Sequence, residues 1–477
     1  MIKVYNTMTK QKEEFKPQQE GKVSIYCCGV TPYNAPHIGN ARPFVTWDVI
    51  RRYLSDQGYE VKYIQNFTDV DDKIINTATA EKSDWKTVAD RNIARYFAAM
   101  DALNVKRADL YPRVSENIDD ITAMIKKLVD NGHAYAMPNG DVFFAVEKFA
   151  DYGKLSGRSL EDMQAGARVE VDSRKSNPMD FALWKAAKPN EPAWDSPWGK
   201  GRPGWHIECS AMSLKYLGEK FDFHGGGSDL IFPHHENEIA QSQAYLEDNA
   251  AFAQYWLHNG FITIRNEKMS KSENNFFTVE EILEKYPGEI LRFFILQTHY
   301  KSPLDFGEDR LKEAQAALNR LQTAKDNLNK LKTGAAKPTA KDAALADVAA
   351  DLAKKFNAAM DDDFNTALAI SEMFALAKEI NIFCQKATTT GEYDGESLRA
   401  AEEAFDKMAG IIGIFEQETK KAASDDTAEK LMQIIIDLRQ KARADKNWAL
   451  ADEIRDKLKE AGFVLQDGKT GVTWKTL

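Results

Sequence analysis

The order of hydrophobic and polar positions near the N-terminus predicts a parallel β-sheet interleaved with helices. Residues 23–27 form an apolar strand pattern, residues 44–54 a helical pattern, and residues 61–66 a second strand pattern. Strand, helix and strand in this order form a βαβ unit, which joins two parallel strands. The same α/β character returns over residues 221–264. We therefore expect one sheet that is built from two separated stretches of the chain.

Between these two stretches the pattern changes. Residues 115–135 predict an amphipathic helix, because isoleucine and leucine recur at helical spacing from Ile118 to Leu128. Residues 136–204 are irregular, with short strand-like pieces among glycine, proline and tryptophan. We interpret this stretch as an insertion between the two halves of the sheet domain.

The last third of the chain has a helical pattern. Five leucines from Leu311 to Leu331 alternate steps of seven and three, which is typical of a narrow helix-packing seam. Residues 332–340 read as a linker, and helical patterns resume over residues 343–415. After a polar stretch, a last module is predicted to end in a small hairpin around Asp467 and Gly468.

The amino-acid composition indicates which class of protein this is and agrees with the domain organisation described above. Hydrophobic residues make up 43% of the 477 positions and charged residues 29%, which is ordinary for a soluble protein. No apolar run is long enough to span a bilayer, and the first residues lack the apolar core of a signal peptide, so we expect a cytoplasmic protein without membrane contact. The net charge of −10 disfavours non-specific coating of nucleic acid, while an RNA could still bind at a local basic face.

Two short segments predict the halves of a triphosphate site. Residues 36–40 follow the first strand and lead into a helix, where α/β proteins bind phosphate. Residues 268–272 bring two ammonium groups and two hydroxyls that can neutralise phosphoryl charge. A glycine-rich segment, residues 224–230, follows a third strand pattern and lets the backbone approach an anion or a ribose.

Four scattered residues are candidates for a metal site. Cys28, Cys209, His234 and Glu238 could supply two thiolates, an imidazole and a carboxylate, and the last two share one helical face. Four cysteines in so long a chain do not form a disulfide framework. The alternative is that the cysteines are buried as small apolar residues. Spacing alone does not choose Cys28 over Cys27, or His234 over His235.

The acidic residues that follow the second strand have two interpretations. Asp69, Asp71 and Asp72 could form a metal loop, but their spacing lacks the glycine and the terminal glutamate of a calcium loop. Carboxylates that stabilise a helix N-terminus are the simpler interpretation for Asp71 and Asp72. Thr68 would then be available to face the crevice at the end of the strand.

The motifs together resemble those of bacterial cysteinyl-tRNA synthetases, which are class I aminoacyl-tRNA synthetases. The resemblance covers essentially the whole chain, including residues 445–448 and 467–474 near the C-terminus. Six motifs occur in the family's order, at residues 26–40, 67–73, 204–210, 224–230, 233–238 and 268–272.

The resemblance implies how cysteine is selected. The family residues that match Cys28, Cys209, His234 and Glu238 hold one Zn²⁺, which binds the thiolate of the substrate cysteine. Zinc prefers a soft thiolate to the hydroxyl of serine, so ligation discriminates where an apolar pocket could not. Residues expected around the substrate cysteine are Gly29, Thr68, Trp205 and His224.

The resemblance also implies an ATP-dependent ligase reaction. Cysteine would be activated with ATP to cysteinyl-adenylate and pyrophosphate, and then transferred to the 3′-terminal ribose of tRNA(Cys). Mg²⁺ is expected to accompany ATP, and His37, Lys268 and Lys271 are the expected catalytic residues. Asn40 stands where relatives often have histidine, and Glu273 follows the second motif where they often have an apolar residue. ATP contacts are expected at His37, Gly39, Asn40, Gly226, Asp229, Lys268 and Lys271.

The fold implied is α/β, with a Rossmann-like parallel-sheet catalytic domain that carries an inserted subdomain. An α-helical tRNA-binding domain and a small C-terminal α+β module follow it. The predicted boundaries are 1–115 for the first catalytic half, 116–204 for the inserted connective subdomain, 205–264 for the second half, 265–310 for the phosphate-loop region, 311–420 for the helical domain and 427–477 for the anticodon-recognition module.

Recognition of tRNA is expected in the C-terminal module. Arg443, Trp448, Asp452 and Asp467 are candidates for anticodon contacts, with Trp448 stacking on an unstacked base. The alternative for Trp448 is a core residue of the module. A monomer is the expectation from the resemblance. A second function, cysteine:small-amine ligation on the same scaffold, is disfavoured by the intact C-terminal tail, and a catalytically silent zinc or RNA-binding module by the presence of His37 and Lys271.

Overall fold

The computed structural model describes most of the chain as two units, Met1–Ile414 and Phe415–Leu477. The described residues are 1–159, 175–248, 252–264, 267–268, 276–334, 336–339, 344–416, 432–445, 447–460, 463–468 and 471–476. Within them, no helix is long and apolar enough to cross a membrane.

Strands and helices alternate in the first part of unit one, and helices dominate its last part. The strands are β1 (Lys3–Asn6), β2 (Gln11–Glu14), β3 (Lys22–Val30), β4 (Glu60–Phe67), β5 (Ala134–Ala136), β6 (Val142–Phe144), β7 (Phe181–Ala186), β8 (Gly201–Pro203), β9 (Lys220–Gly227), β10 (Phe252–Asn259), β11 (Ile262–Ile264), β12 (Glu267–Lys268), β13 (Leu304–Asp305), β14 (Lys337–Thr339) and β15 (Glu392–Asp394). The helices are α1 (Ile38–Asp56), α2 (Asp72–Glu81), α3 (Trp85–Ala102), α4 (Ile118–Asp130), α5 (Ile207–Leu217), α6 (Glu236–Leu246), α7 (Val279–Leu283), α8 (Gly288–Leu296), α9 (Glu308–Thr333), α10 (Ala344–Asp361), α11 (Thr366–Thr390) and α12 (Gly395–Ile412).

The central sheet is parallel, as the sequence predicts. Its strand order is β10-β9-β3-β4, and each neighbouring pair is parallel. Ile25, Tyr26 and Cys27 on β3 are fully buried, which is why this strand reads as a continuous apolar run rather than an alternating one. The chain turns to opposite sides from the neighbouring strands β3 and β9, so their carboxyl ends open a crevice where α/β proteins bind ligands.

The irregular stretch between the sheet halves contains an antiparallel sheet of order β5-β6-β7-β8. Phe144, Leu183 and Trp184 fill its core. The predicted amphipathic helix is α4, whose Ile121, Ile125 and Leu128 are buried. The antiparallel strands are short and only partly alternating, so the sequence pattern predicts the insertion but not its sheet.

The leucine seam packs inside the helical part of unit one. All five leucines from Leu311 to Leu331 are buried on α9. The predicted linker over residues 332–340 is wrong in part: α9 continues to Thr333, and Lys337–Thr339 forms β14, which pairs in parallel with β15. Because β14 is a short edge strand with an exposed proline, no alternating pattern marks it.

A buried ion cluster joins α1, α8 and the end of α12. The carboxylate of Asp48 lies 2.7 Å from Arg52 and 2.6 Å from Arg292. Arg52 donates to the carbonyl of Gly410, and Arg292 donates to that of Ile412. Cations are therefore placed at a helix C-terminus, where the helix dipole favours them.

Unit two is a small module of helices and one hairpin. Residues 432–444 are helical, and a further helix, α13, spans Trp448–Glu460. The hairpin predicted around Asp467 and Gly468 is confirmed: β16 (Phe463–Gly468) pairs antiparallel with β17 (Gly471–Thr476). Met432, Ile436 and Leu458 form its core among the residues described.

Candidate active site and metal centre

Two thiols, an imidazole and a carboxylate meet at the crevice end of the sheet. Cys28 lies near the end of β3, Cys209 in the first turn of α5, and His234 and Glu238 at the start of α6. Cys28 Sγ is 3.8 Å from Cys209 Sγ, 3.5 Å from His234 Nε2 and 3.4 Å from Glu238 Oε1. All four side chains are buried, and their ligand atoms lie within 4.8 Å of one another. The group could hold a metal ion.

A second grouping shares part of this cluster. Cys28 and Glu238 also lie within 4.8 Å of ring nitrogens of His224 and His235. Those two histidines have other partners: His224 Nε2 is 2.8 Å from Glu238 Oε2, and His235 Nδ1 is 2.7 Å from His258 Nε2. Cys27 belongs to neither group found among the described residues. Of the two neighbouring cysteines, Cys28 is therefore the candidate ligand by geometry, and both histidines lie near the cluster.

The cluster holds negative charge around a proton. Burial raises the pKa of Tyr26 and of the Cys28 thiol well above their usual values, and nearby Cys209 adds to both shifts. Burial alone would also raise the pKa of Cys209, but hydrogen bonds from Cys28 and His234 lower it to about 6. Burial lowers the pKa of His234, but Glu238 and Cys209 outweigh this effect and raise it to about 10. The charges of Glu238 and Cys209 therefore favour a positive charge at His234.

Aromatic rings cover the cluster. Trp205 stacks on His234 with ring centroids 4.4 Å apart, and 40% of its surface is exposed. On the inner side, the His224 ring stacks on Trp256 at 4.4 Å. Both predicted pocket residues, Trp205 and His224, therefore lie against the candidate ligands, one facing solvent and one inside the protein.

Gly29 and Thr68 lie beside the cluster and are joined by Asn66. The Gly29 amide donates to Asn66 Oδ1 at 2.9 Å, and Asn66 Nδ2 lies 3.4 Å from Thr68 Oγ1. A Cβ at Gly29 would lie 1.6 Å from the carbonyl oxygen of Asn66, so only glycine fits there. Thr68 in turn donates to Glu208 Oε1 at 2.7 Å. Asn66 and Glu208 were not predicted as site residues, although each stands next to a predicted motif residue.

The first triphosphate segment and Cys28 of the metal cluster line the same cleft. Its wall includes Cys28, Gly29, Gly39, Gly226 and Asp229, together with His37 and Asn40. The cleft lies at the carboxyl ends of β3 and β9. The structure therefore brings the sequence-predicted ATP contacts of this segment and the predicted ligand Cys28 together.

His37 and Asn40 form a capping box at the start of α1. The Asn40 amide donates to His37 Nδ1 at 3.2 Å, and the His37 amide donates to Asn40 Oδ1 at 3.2 Å. Because Nδ1 accepts a hydrogen bond, the neutral ring carries its proton on Nε2. Asparagine at position 40 thus closes the helix cap.

The acidic residues after β4 stabilise structure, as the simpler interpretation holds. Asp71 is the N-cap of α2, and its side chain accepts from the Lys73 amide at 2.9 Å. Asp72 is paired with Lys185 and Arg202. Asp69 accepts from the amide and the hydroxyl of Ser115.

The remaining predicted residues are only partly described. Lys268 ends β12, but its side chain and all of Lys271 and Glu273 lie outside the described residues, as does the side chain of Asp467. Arg443 and Asp452 are exposed in unit two, and 58% of the Trp448 surface is exposed. Its interpretation as a core residue of the module is therefore wrong.

Three family descriptions match successive parts of the chain. Residues 14–316 match the class I (C) catalytic domain of tRNA synthetases, and residues 355–416 match the DALR domain. Residues 433–474 match the cysteinyl-tRNA ligase anticodon binding domain.

Relatives of known name match over nearly the full length. The chain is 53% identical to the cysteine–tRNA ligase of Heliobacterium modesticaldum, over 99% of both chains. It is 54% identical to the cysteine–tRNA ligase of Desulforamulus reducens, again over 99% of both.

Solved structures show a similar fold at low identity. One is the methionyl-tRNA synthetase of Mycobacterium tuberculosis with methionyl-adenylate, with a TM-score of 0.59 and 15% identity, covering 82% of this chain and 89% of that one. Another is the leucyl enzyme AgnB2 of Agrobacterium radiobacter K84 in a ternary complex with tRNA, with a TM-score of 0.60 and 11% identity, covering 84% of this chain and 85% of that one. These structures carry the Rossmann-like fold of class I synthetases.

Proposed function

The chain belongs to the cysteine–tRNA ligase family of class I aminoacyl-tRNA synthetases, and we propose that its buried thiol, imidazole and carboxylate cluster selects the substrate cysteine. Its function is that of a cysteine–tRNA ligase, with an amino acid, ATP and tRNA as substrates. The observation that carries the proposal about selection is that Cys28, a member of the cluster, lines one cleft together with the phosphate segment.

The donor set fits Zn²⁺. Cys28, Cys209, His234 and Glu238 offer two sulfurs, a nitrogen and an oxygen, which are the ligand types of a four-coordinate zinc site. We assign His224 to the layer behind them, where it orients Glu238 through the 2.8 Å hydrogen bond. Bound zinc would ligate the substrate thiolate and so distinguish cysteine from serine.

Adenylate formation then depends on how the chain holds two substrates in line. The cysteine carboxylate attacks the α-phosphate of ATP, and pyrophosphate leaves. His37 lines the cleft at the N-terminus of α1, where the helix dipole favours phosphate. Gly39, Asn40, Gly226 and Asp229 line the ATP side of the cleft. Lys268 and Lys271 would neutralise pyrophosphate with Mg²⁺, and Gly29, Thr68, Trp205 and His224 would enclose cysteine.

Transfer to tRNA completes the reaction. The terminal ribose hydroxyl attacks the activated carbonyl, and AMP leaves. Arg443, Trp448, Asp452 and Asp467 would contact the anticodon of tRNA(Cys), and exposure of Trp448 supports stacking on a base. We propose that one chain suffices, as a monomer. The match of residues 433–474 to an anticodon binding domain supports tRNA rather than a small amine as acceptor.

The test is cysteine-dependent exchange of pyrophosphate into ATP, followed by charging of tRNA(Cys). The expected result is exchange with cysteine, far weaker exchange with serine, and charging that requires the C-terminal module. Exchange without charging would favour the small-amine ligase. Absence of exchange by the zinc-loaded protein would contradict the proposed function.

A further inference from the structure

Glu208 is a buried carboxylate that forms no ion pair with any of the described residues. It lies in the first turn of α5, next to Cys209, and only 1% of its surface is exposed. In the part of the chain that the structure describes, its hydrogen-bond donor is the Thr68 hydroxyl at 2.7 Å. No lysine, arginine or histidine of that part forms an ion pair with it. Buried carboxylates are costly unless they are paired, so this group calls for a partner.

The environment of Glu208 is buried and acidic. Burial raises the pKa of the Glu208 carboxyl well above its usual value, and nearby Cys209, Asp71 and Asp69 add to this shift, while the hydrogen bond from Thr68 opposes it. Asp72 in the same segment is balanced by the cations of Lys185 and Arg202. Glu208 receives no such balance from the described residues.

A short chain of hydrogen bonds leads from Glu208 to the candidate ligands. Thr68 donates its only hydroxyl proton to Glu208, which leaves the oxygen lone pairs for donors. Asn66 Nδ2 is one such donor at 3.4 Å, and Asn66 Oδ1 lies 3.7 Å from Cys209 Sγ. The side chain of Asn66 thus links Thr68, and through it Glu208, to the thiol of Cys209, which we assign to the metal.

The substrate carries a cation at the right place in its own structure. In cysteine, only two carbon atoms separate the sulfur from the α-ammonium nitrogen. If the substrate thiolate is held at the metal cluster, its ammonium group therefore lies close to the residues that surround the cluster. Anchoring both groups would leave the carboxylate of the substrate free to point toward ATP, and such orientation lowers the barrier.

We propose that Glu208 is the positioning residue for the α-ammonium of the substrate cysteine, acting through Thr68. The Thr68 hydroxyl, oriented by its bond to Glu208, accepts a hydrogen bond from the ammonium, and the Glu208 carboxylate balances the ammonium charge. This inference rests on the proposed function, because it takes the substrate thiolate to lie at the metal cluster.

The experiment compares three thiols on the zinc-loaded full-length protein. L-cysteine carries thiol, amine and carboxylate; cysteamine lacks the carboxylate; and 3-mercaptopropionate lacks the amine. Their dissociation constants are measured by calorimetry for the wild type and for Glu208→Gln, with zinc content measured in both. Asp222→Asn is the matched control. Asp222 is also a buried carboxylate, but it lies on β9 and accepts hydrogen bonds from the amides of Ser24 and Gln18.

Glu208→Gln should weaken the binding of L-cysteine and of cysteamine by about 10- to 100-fold, because this is the loss expected when a hydrogen bond to a charged group is removed. The affinity for 3-mercaptopropionate should stay unchanged, and so should the zinc content. Asp222→Asn should not weaken the binding of any of the three thiols. Equal weakening of all three thiols by Glu208→Gln, or no weakening of any, would overturn the inference. Failure of the wild type to bind any thiol would instead count against the proposed function.

A second pair of variants guards against a fold defect. Thr68→Val removes the hydroxyl that accepts from the ammonium, and Thr68→Ser restores it. If Glu208→Gln does not fold, Thr68→Val should reproduce the amine-dependent loss and Thr68→Ser should bind all three thiols like the wild type. Loss that is equal for the three thiols in Thr68→Val would contradict the inference.

Discussion

Two of the buried clusters of ionisable groups in the described part of unit one differ in how the protein completes them. In the Asp48 cluster, Arg52 and Arg292 flank the carboxylate, and each guanidinium also donates to backbone carbonyls. In the metal cluster around Cys28 and Glu238, the ion pairs that the described residues form with Glu238 come from histidines and not from lysine or arginine. The first cluster is saturated by the chain itself, whereas the second leaves room for a cation. We infer that the saturated cluster holds helices together, and we propose that the incomplete one binds the metal ion.

Breaking the saturated cluster should have the largest effect. Arg292→Met removes one cation and leaves Asp48 short of a partner in a site with no exposed surface. We expect the free energy of unfolding to fall by about 3–5 kcal/mol, measured by urea denaturation of the metal-free protein. A loss below about 1 kcal/mol would show that the cluster does not join α1, α8 and α12 as described.

Breaking the incomplete cluster should change binding more than stability. Substitution of a residue that only orients a metal ligand lowers metal affinity by about 10- to 100-fold. Cys209→Ser replaces a proposed ligand itself, so it should lower zinc affinity by at least this factor. It should also reduce discrimination against serine. Competition with a chelator and amino acid-dependent exchange measure the two effects.

Cys27→Ser is the control, because Cys27 is the fully buried neighbour of Cys28 on β3 and belongs to neither metal group. Its zinc content should equal that of the wild type. Equal zinc content in Cys209→Ser and the wild type would remove Cys209 from the ligand set.

A smaller effect should appear in the pH dependence of stability. Burial raises the pKa of Asp48, but Arg292 and Arg52 outweigh it and hold this pKa below the ordinary value. Its contribution to stability is therefore present above the unfolded pKa of about 3.9 and is lost as the pH falls through the lower folded pKa. In Arg292→Met the pKa of Asp48 in the folded protein should rise toward its unfolded value. Acid should therefore remove less stability from this variant than from the wild type.

The stability difference between the wild type and Arg292→Met should accordingly be constant near neutral pH and shrink below about pH 4. Urea denaturation over this range measures it. A difference that grows with acidity would contradict the assigned charge on Asp48.

The contrast between the clusters also shows what the sequence could predict. The βαβ pattern and the leucine seam follow from local periodicity, and the motif order indicates the family. The choice of Cys28 over Cys27 needs the sheet, because neighbouring residues on a strand point to opposite faces. Asp48, Asn66 and Glu208 gain their roles from partners distant in sequence, such as Arg292 for Asp48. Strand β14 was missed because a three-residue edge strand carries no period.

The most direct test of cysteine selection is X-ray absorption of the zinc-loaded protein, with and without substrate. If Cys28, Cys209, His234 and Glu238 hold a zinc ion that takes up the substrate thiolate, the spectrum should show two sulfur ligands in the free protein. Saturating L-cysteine should add a third, and saturating serine should add none. An unchanged sulfur shell in the presence of bound cysteine would contradict selection through the metal.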